Sequence, residues 1–350
     1  MAKERKYKVY FERFPSDNFN ICDKKFFNNI DYFAYTKMGA LQNFGMENPL
    51  DCGSFGKTKK EALNKSISES IERRSLLAYK NRDFKTALNV MDGSLKKVQY
   101  ENYFFSKKNI TDTTATACDT VPSRAVISAI AELIEKNSTF LFWYNNEGYE
   151  VDSNQTEKFV LRYGFREFKY KMYINLSFYP FIVAYVVLYK KELPLIIGTG
   201  SGTNYTNAIY KAMREANFLF KVESSMNIKA EILGIQVDKY TLAKEKSLKS
   251  VETRLKLKSY PKRSLSLHEI NYKDKKQHLS ILKMALSKYT NEVNIFPINL
   301  FNNRLTFKIY SPDLISYVPF KFNLRFDKKI YSRIKLRKED ILNFPELPIM

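Results

Sequence analysis

The sequence predicts an α/β (mixed α+β) protein in which mixed β-sheets pack against helices, and three observations predict it. Apolar residues make up 44% of the chain and aromatic residues 15%, a composition of globular, strand-containing proteins. Glycine and proline are sparse, which argues against long flexible linkers. A unit of strand, small-residue turn and acidic helix occurs three times, as a repeat of pattern and not of sequence.

Residues 5–13 read as a strand, and 31–47 as a loosely structured, aromatic-rich connection ending in the turn-like Asn48, Pro49, Leu50 and Asp51. From Lys59 to Tyr79, Ala62, Ile67, Ile71 and Leu76 recur at near-helical spacing, with Glu69, Glu72 and Arg73 on another stripe. A short strand is expected around 98–105. Residues 122–143 form the second helix: Pro122 suits a first turn, Ser123 a cap region, and Ala125, Ile127, Ala129, Ile130, Leu133 and Ile134 an apolar body around Glu132 and Glu135. The strand-rich segment 158–198 leads through Gly198, Gly200 and Gly202, read as a turn, into a third helix over about 206–221 carrying Lys211 and Glu215. Residues 240–263 are strongly basic, an exposed helix running into a loop at Pro261 and the expected boundary region. Beyond it, 268–289 reads as helix, 292–326 as mostly strand, and 344–350 as extended because Pro345 and Pro348 forbid regular pairing.

At 350 residues the chain has ample length to bury a core as one large or two closely packed domains. Its formal charge of +21 invites a nucleic-acid reading, since Lys and Arg release counterions from a polyanion. The lysines are scattered along the whole chain, however, and no recognised binding motif accompanies them, so composition explains the charge better. Cys22, Cys52 and Cys118 are odd in number, far apart and form no CxxC pair, which indicates neither a disulfide framework nor a zinc site and fits a reducing cytoplasm. The charged start carries no secretory signal. Only 172–189 approaches transmembrane length, and Asn175, Ser177 and Pro180 within it favour two buried strands broken at the proline over a bilayer helix.

Two glycine motifs mislead. Residues 51–58 nearly spell a P-loop, but Asp51 stands where the first glycine belongs and would set an anion beside the phosphates. Gly56 and Lys57 still qualify as a border of a nucleotide. Gly198, Gly200 and Gly202 lack the last glycine of a GxGxxG fingerprint, because Thr203 stands there.

The carboxylates carry more. In Glu69–Glu72–Arg73 and in Glu132–Glu135–Lys136, two glutamates stand three apart on one helix face with a cation directly after the second. One such cluster is usually a solvated surface pair contributing only a few tenths of a kcal/mol. Its repetition in apolar helices, with Lys211 and Glu215 as a third instance, shifts the reading. Converging glutamates repel unless neutralised, and hard divalent cations such as Mg²⁺ take such oxygens together with nucleotide phosphates. Cations beside the acids would then meet the phosphates of ATP.

At these residues the chain resembles the YcaO superfamily. The first motif, SxxxExxER, is matched at Glu69, Glu72 and Arg73; the second, ending ExxER or ExxEQ, at Glu132, Glu135 and Lys136; the third, RxxxExxQ, at Lys211 and Glu215. Residues 112–120 look like the DSNGxAAGN turn that precedes the second motif, and Phe142 and Trp143 like the aromatic pair after it. The chain departs from the pattern at Lys65, Thr120, Arg124 and Phe218, and Lys136 and Lys211 keep the charge of the family's arginines without their bidentate phosphate geometry.

The resemblance implies one catalytic domain over 1–350, with core motifs in 50–220, the basic connector near 240–263 and a C-terminal α/β portion over 264–350. It implies mixed sheets and helices around a nucleotide cleft, with ATP and Mg²⁺ as cofactors. Glu69, Glu72, Glu132, Glu135 and Glu215 would hold the metal; Arg73, Lys136 and Lys211, with Thr113, Thr120 and Lys57, would border the nucleotide. The implied reaction is azoline formation in a ribosomally made precursor peptide. A Cys, Ser or Thr side chain attacks the preceding amide, ATP phosphorylates the oxyanion, and phosphate leaves, so the enzyme's part is positioning and charge neutralisation. Azoline formers often end in PxPxP, and Pro345, Pro348 and Met350 form a loose version of that tail, the one candidate for a catalytic element. The pattern is closest to the cyclodehydratase subunits of microcin-type synthetases. A separate leader-binding partner protein and a flavin-dependent azoline dehydrogenase are therefore expected companions. Thioamide or amidine formation, a degenerate scaffold and a single-stranded nucleic-acid binder stay open as alternatives.

Overall fold

The computed structural model describes residues 8–12, 32–37, 42–43, 46–47, 51–78, 84–99, 112–163, 165, 168–190, 193–233, 251, 255, 260–264, 274–301, 303–335 and 337–347. It is a mixed α/β architecture whose chain divides into two compact units. The first comprises residues 1–18, 29–133 and 290–318, and the second 19–28, 134–289 and 319–350.

In the first unit, β1 (Lys8–Glu12), β2 (Tyr32–Lys37) and β5 (Asp51–Gly56) form an antiparallel sheet in the order β1-β2-β5, and β3 (Gln42–Asn43) pairs with β4 (Met46–Glu47). The segment expected to be loosely structured is thus substantially strand; Phe33 packs on Tyr35 and Phe55, and such aromatic pairs stabilise a sheet face. A second sheet runs β7-β6-β14-β15-β8, from β6 (Phe84–Asn89), β7 (Leu95–Gln99), β8 (Thr116–Asp119), β14 (Asn294–Phe301) and β15 (Arg304–Tyr310). Residues 311–326, expected to be mostly strand, contain only a short 3₁₀ turn at Lys321–Asn323.

Helix α1 (Lys59–Ala78) packs on both sheets. Its start is closed locally, because the Thr58 hydroxyl accepts from the Glu61 amide at 3.1 Å while the Glu61 carboxylate reaches back to the Lys57 amide at 2.9 Å. Ala62, Ile71 and Leu76 are buried as the periodicity requires. Ser66 fixes the helix to the first sheet, with the Thr36 hydroxyl at 2.5 Å and the Cys52 carbonyl at 2.6 Å. Toward the second sheet lie Asn64, Ser68 and Ser75, one to three turns apart.

The second unit is built on the sheet β12-β11-β10-β9-β13, from β9 (Tyr149–Val151), β10 (Lys169–Asn175), β11 (Ile182–Lys190), β12 (Leu193–Gly202) and β13 (Lys262–Arg263), antiparallel except between β13 and β9. Every residue from Ile182 to Tyr189 is buried, so β11 is covered on both faces and its sequence is a continuous apolar run without alternation. The run 172–189 is therefore two strands interrupted around Pro180, as the sequence predicts. Residues 158–162, expected in a strand-rich segment, instead complete helix α3 (Ser153–Arg162), whose Asp152 cap accepts from the Asn154 amide at 3.0 Å.

Gly198, Gly200 and Gly202 are not a turn. They lie inside β12, against helix α4 (Tyr205–Leu233), which extends past the expected 221. A Cβ on Gly198 would stand 2.2 Å from the Ala212 carbonyl oxygen, and one on Gly200 2.2 Å from the Ala212 amide nitrogen. These glycines let helix and strand backbones touch. Helix α2 (Pro122–Tyr144), helix α5 (Lys275–Ser287), capped by Asp274, and helix α6 (Lys338–Asn343) are the other α-helices that bear on the site and its surroundings. Of the basic stretch, Val251 and Leu255 are helical and buried, Tyr260 is buried, Pro261 is exposed, and Lys262 and Arg263 are exposed in β13; the rest lies outside the described residues.

Candidate active site

Helix α2 (Pro122–Tyr144) carries the second acidic pair. Glu132 belongs to the first unit and Glu135 to the second. In the first unit Glu132 joins Glu69 and Glu72 of α1 in one electrostatic cluster. Glu72 is half-buried, and its carboxyl is held well above its ordinary value, first by loss of solvent, then by repulsion from Glu69 and Glu132, with Arg73 and Lys308 opposing. Arg73, expected to face phosphates, binds Glu69 at 2.6 and 2.9 Å from its own helix. Glu132 accepts the Ala115 amide at 3.0 Å.

Facing α1 is a row of polar side chains that the motifs do not include. Arg304, Thr306 and Lys308 alternate along β15 and all are buried. Arg304 donates to Ser68 at 2.9 Å and to Asn64 at 2.8 Å, and the Thr306 hydroxyl lies 3.2 Å from that of Ser75. Lys308 donates to the carbonyls of Asp112, at 2.9 Å, and Thr114. Burial pushes its ammonium down to about 8, against the pull of Asp112, Glu132 and Glu72. Burial likewise raises the Cys52 and Cys118 thiols to about 11, so neither is a ready nucleophile. A polar alternation in a strand ordinarily marks its solvent face, so β15 reads backwards from sequence. Three polar residues opposite the small polar face of α1 were the available signal.

The turn before α2 explains how Glu132 is held. Asp112 accepts the Thr114 amide at 2.8 Å and the Val318 amide at 2.6 Å. Thr113 contributes its carbonyl to the Thr116 amide at 3.0 Å. Ala115 has φ 58°, where the DSNGxAAGN pattern has glycine, and an L side chain in that region costs about 1–2 kcal/mol. Thr120 is exposed, its hydroxyl 3.2 Å from the Asp119 carboxylate, which also accepts the Val121 amide at α2. Lys57 is exposed at the head of α1.

In the second unit, Lys211 on α4 donates to the Ser201 carbonyl at 2.8 Å, and Glu215 lies one turn further along the same helix. Burial, then the Lys211 charge, lowers the His278 imidazole below its ordinary value. Phe142 stacks between Tyr185 and Tyr260 at centroid distances of 4.2 and 4.9 Å. The Trp143 indole donates to the Pro345 carbonyl at 2.9 Å, and Leu347 is buried, so the tail is anchored as far as Leu347. Pro348 and Met350 lie outside the described residues.

The residues of the first unit fit a divalent cation in donor type and charge: three carboxylates are close enough to repel, and the nearest cations leave Glu72 strongly unfavourable as an anion. Among the described residues no three His, Cys, Asp or Glu side chains are gathered tightly enough to form a finished metal site. Glu69 is turned to Arg73 and Glu132 to Ala115 instead. No helix among the described residues is long and apolar enough to cross a membrane.

Comparison with known proteins places the fold. The fold is shared with YcaO from Methanopyrus kandleri bound with AMPPCP and Mg²⁺ (12% identity, 89% of this chain and 86% of that one, TM-score 0.61). It is shared also with a chain of the E. coli microcin synthetase McbBCD complex (13% identity, 92% and 94%, TM-score 0.67). A heterocyclase in complex with substrate and cofactor matches at 13% identity over 92% of this chain and 53% of that one, TM-score 0.64. A search of the curated proteins finds no match. Residues 100–283, more than half of the chain, match the family described as YcaO cyclodehydratase, ATP- and Mg²⁺-binding, and this protein belongs to the YcaO family.

Proposed function

We propose that this protein is an ATP- and Mg²⁺-dependent cyclodehydratase that forms thiazolines or oxazolines at Cys, Ser or Thr of a ribosomally made precursor peptide. The observation that carries the reading is the clustering of Glu69, Glu72 and Glu132: loss of solvent, then repulsion from Glu69 and Glu132, raises the Glu72 carboxyl, and a divalent cation would relieve both. Mg²⁺ supplies charge neutralisation for phosphoryl transfer from ATP when bound. Glu69, Glu72 and Glu132 of the first unit, and Glu135 and Glu215 of the second, are its proposed ligands. Arg73, Lys136 and Lys211 are the proposed phosphate-facing cations, with Lys57, Thr113 and Thr120 at the border of the nucleotide. Arg73 is held by Glu69, so engaging a phosphate requires it to share or leave that carboxylate.

Support for peptide chemistry comes from the neighbours. The E. coli microcin synthetase complex has also been solved with pro-MccB17 bound, and its matching chain is similar to this one over 92% of the present sequence. A leader-binding partner and a flavin-dependent dehydrogenase complete the proposed assembly, and the cytoplasm is its proposed place.

The test is calorimetric binding of Mg²⁺ with a non-hydrolysable ATP analogue by wild type and a Glu72→Ala, Glu135→Ala double variant, followed by mass spectrometry of a candidate peptide with partners present. The expected result is loss of binding in the variant, by about a hundredfold or more, and loss of one water mass per ring with wild type. Unchanged binding refutes the site. Binding without any mass loss refutes the cyclodehydratase reading.

A further inference from the structure

We propose that Lys308 is a positioning residue for Glu132: by gathering the carbonyls of Asp112 and Thr114 it fixes the loop in which a left-handed Ala115 presents its amide to the Glu132 carboxylate. The inference rests on the reading of Glu132 as a Mg²⁺ ligand. Four observations support it.

Ala115 is fully buried at φ 58°, a conformation that a residue with a Cβ keeps only when its surroundings enforce it. Its amide points at Glu132 Oε2, at 3.0 Å, so the strained conformation and the orientation of the carboxylate are one feature. The loop is held from every side. Asp112 takes the amides of Thr114 and Val318, the Ile309 amide donates to the Ala115 carbonyl at 2.8 Å, and Lys308 Nζ donates to two carbonyls of the same loop, those of Asp112 and Thr114. Lys308 is the costly member, an ammonium with no exposed surface on a strand that a methionine of similar volume would fill without desolvating a charge. A group that fold stability does not favour at that place is best explained by what it positions. Partners that orient metal ligands from behind carry this kind of weight, typically tenfold to a hundredfold in metal affinity.

The rival role for Lys308 is a plain counter-charge for Glu72 and Glu132. Ala115 separates the two. Glycine adopts the left-handed conformation without enforcement, so Ala115→Gly restores the loop when Lys308 is gone, but it restores no charge.

The experiment is Mg²⁺ titration in the presence of a non-hydrolysable ATP analogue, by calorimetry on the full chain, corrected for the folded fraction. Lys308→Met is expected to weaken Mg²⁺ binding by about tenfold to a hundredfold, and adding Ala115→Gly to it is expected to recover most of that loss. Wild-type affinity in folded Lys308→Met overturns the proposal, and so does a loss that Ala115→Gly leaves untouched. Should Lys308→Met fail to fold, Asp112→Asn loosens the same loop without emptying the buried position. It is expected to weaken binding in the same direction, with the same rescue; absence of rescue there is equally fatal. Glu132→Gln serves as the control. If it too binds normally, the metal reading fails along with the inference, whereas loss in Glu132→Gln beside normal binding in Lys308→Met removes the inference alone.

Discussion

The two five-stranded sheets solve the same packing problem in opposite ways. In the second unit β11 is buried from Ile182 to Tyr189 by apolar and aromatic residues, and α4 rests directly on the glycine backbone of β12. In the first unit the strand that faces α1 buries an arginine, a threonine and a lysine. Apolar burial stabilises by roughly 25 cal/mol per Å² removed from water, whereas charges taken out of water offset their own attraction. The sheet of the second unit is therefore organised for stability, and the five-stranded sheet of the first unit tolerates an expense beside the family's acidic motif. That contrast marks the proposed site more sharply than the net charge of the chain does.

The comparison breaks most visibly at Gly200. A side chain there meets backbone that cannot swing aside, so Gly200→Val is expected to lose about 4 kcal/mol or more, or not to fold at all. Gly93, in the turn between β6 and β7 of the first unit, provides the contrast: it has φ +80° but nothing within 4 Å of a built Cβ. Gly93→Ala is expected to cost only about 1 kcal/mol, from backbone conformation alone. Denaturant unfolding of both variants checks the pair. Equal losses would mean that close approach does not govern the sheet of the second unit.

Much of this was legible in the sequence for a physical reason. Helical periodicity marked α1, and α2 as far as Lys136, because those turns bury one stripe, and the acidic pairs stand out against it. The buried run 172–189 resolved into strands because its residues are β-branched and aromatic around a proline. What stayed hidden depends on tertiary partners. Gly198 and Gly200 look like a turn unless the helix lying on them is known. Arg304, Thr306 and Lys308 look like a solvent face because alternation shows that two faces differ but not which one is covered. Ala115 hides its left-handed backbone behind a residue that rarely adopts one.

A smaller effect tests the other half of the contrast, that the acidic cluster of the first unit works against stability until a cation is present. The Glu72 carboxyl is raised in the folded protein above the 4.5 of an unperturbed group. As pH rises past that value the unfolded chain releases its proton while the folded chain retains it, so the folded state loses stability toward neutral pH. Glu72→Gln stays neutral throughout and removes that slope. Without Mg²⁺, the variant and wild type should melt together near pH 3, and at pH 7 the variant should melt higher by on the order of a few degrees. With Mg²⁺ and nucleotide the order should reverse, because ligand binding to the folded state stabilises only the protein that retains the carboxylate. A wild type that melts above Glu72→Gln at pH 7 without Mg²⁺ would show that Arg73 and Lys308 already neutralise the cluster, and the two sheets would then differ in composition without differing in what they cost.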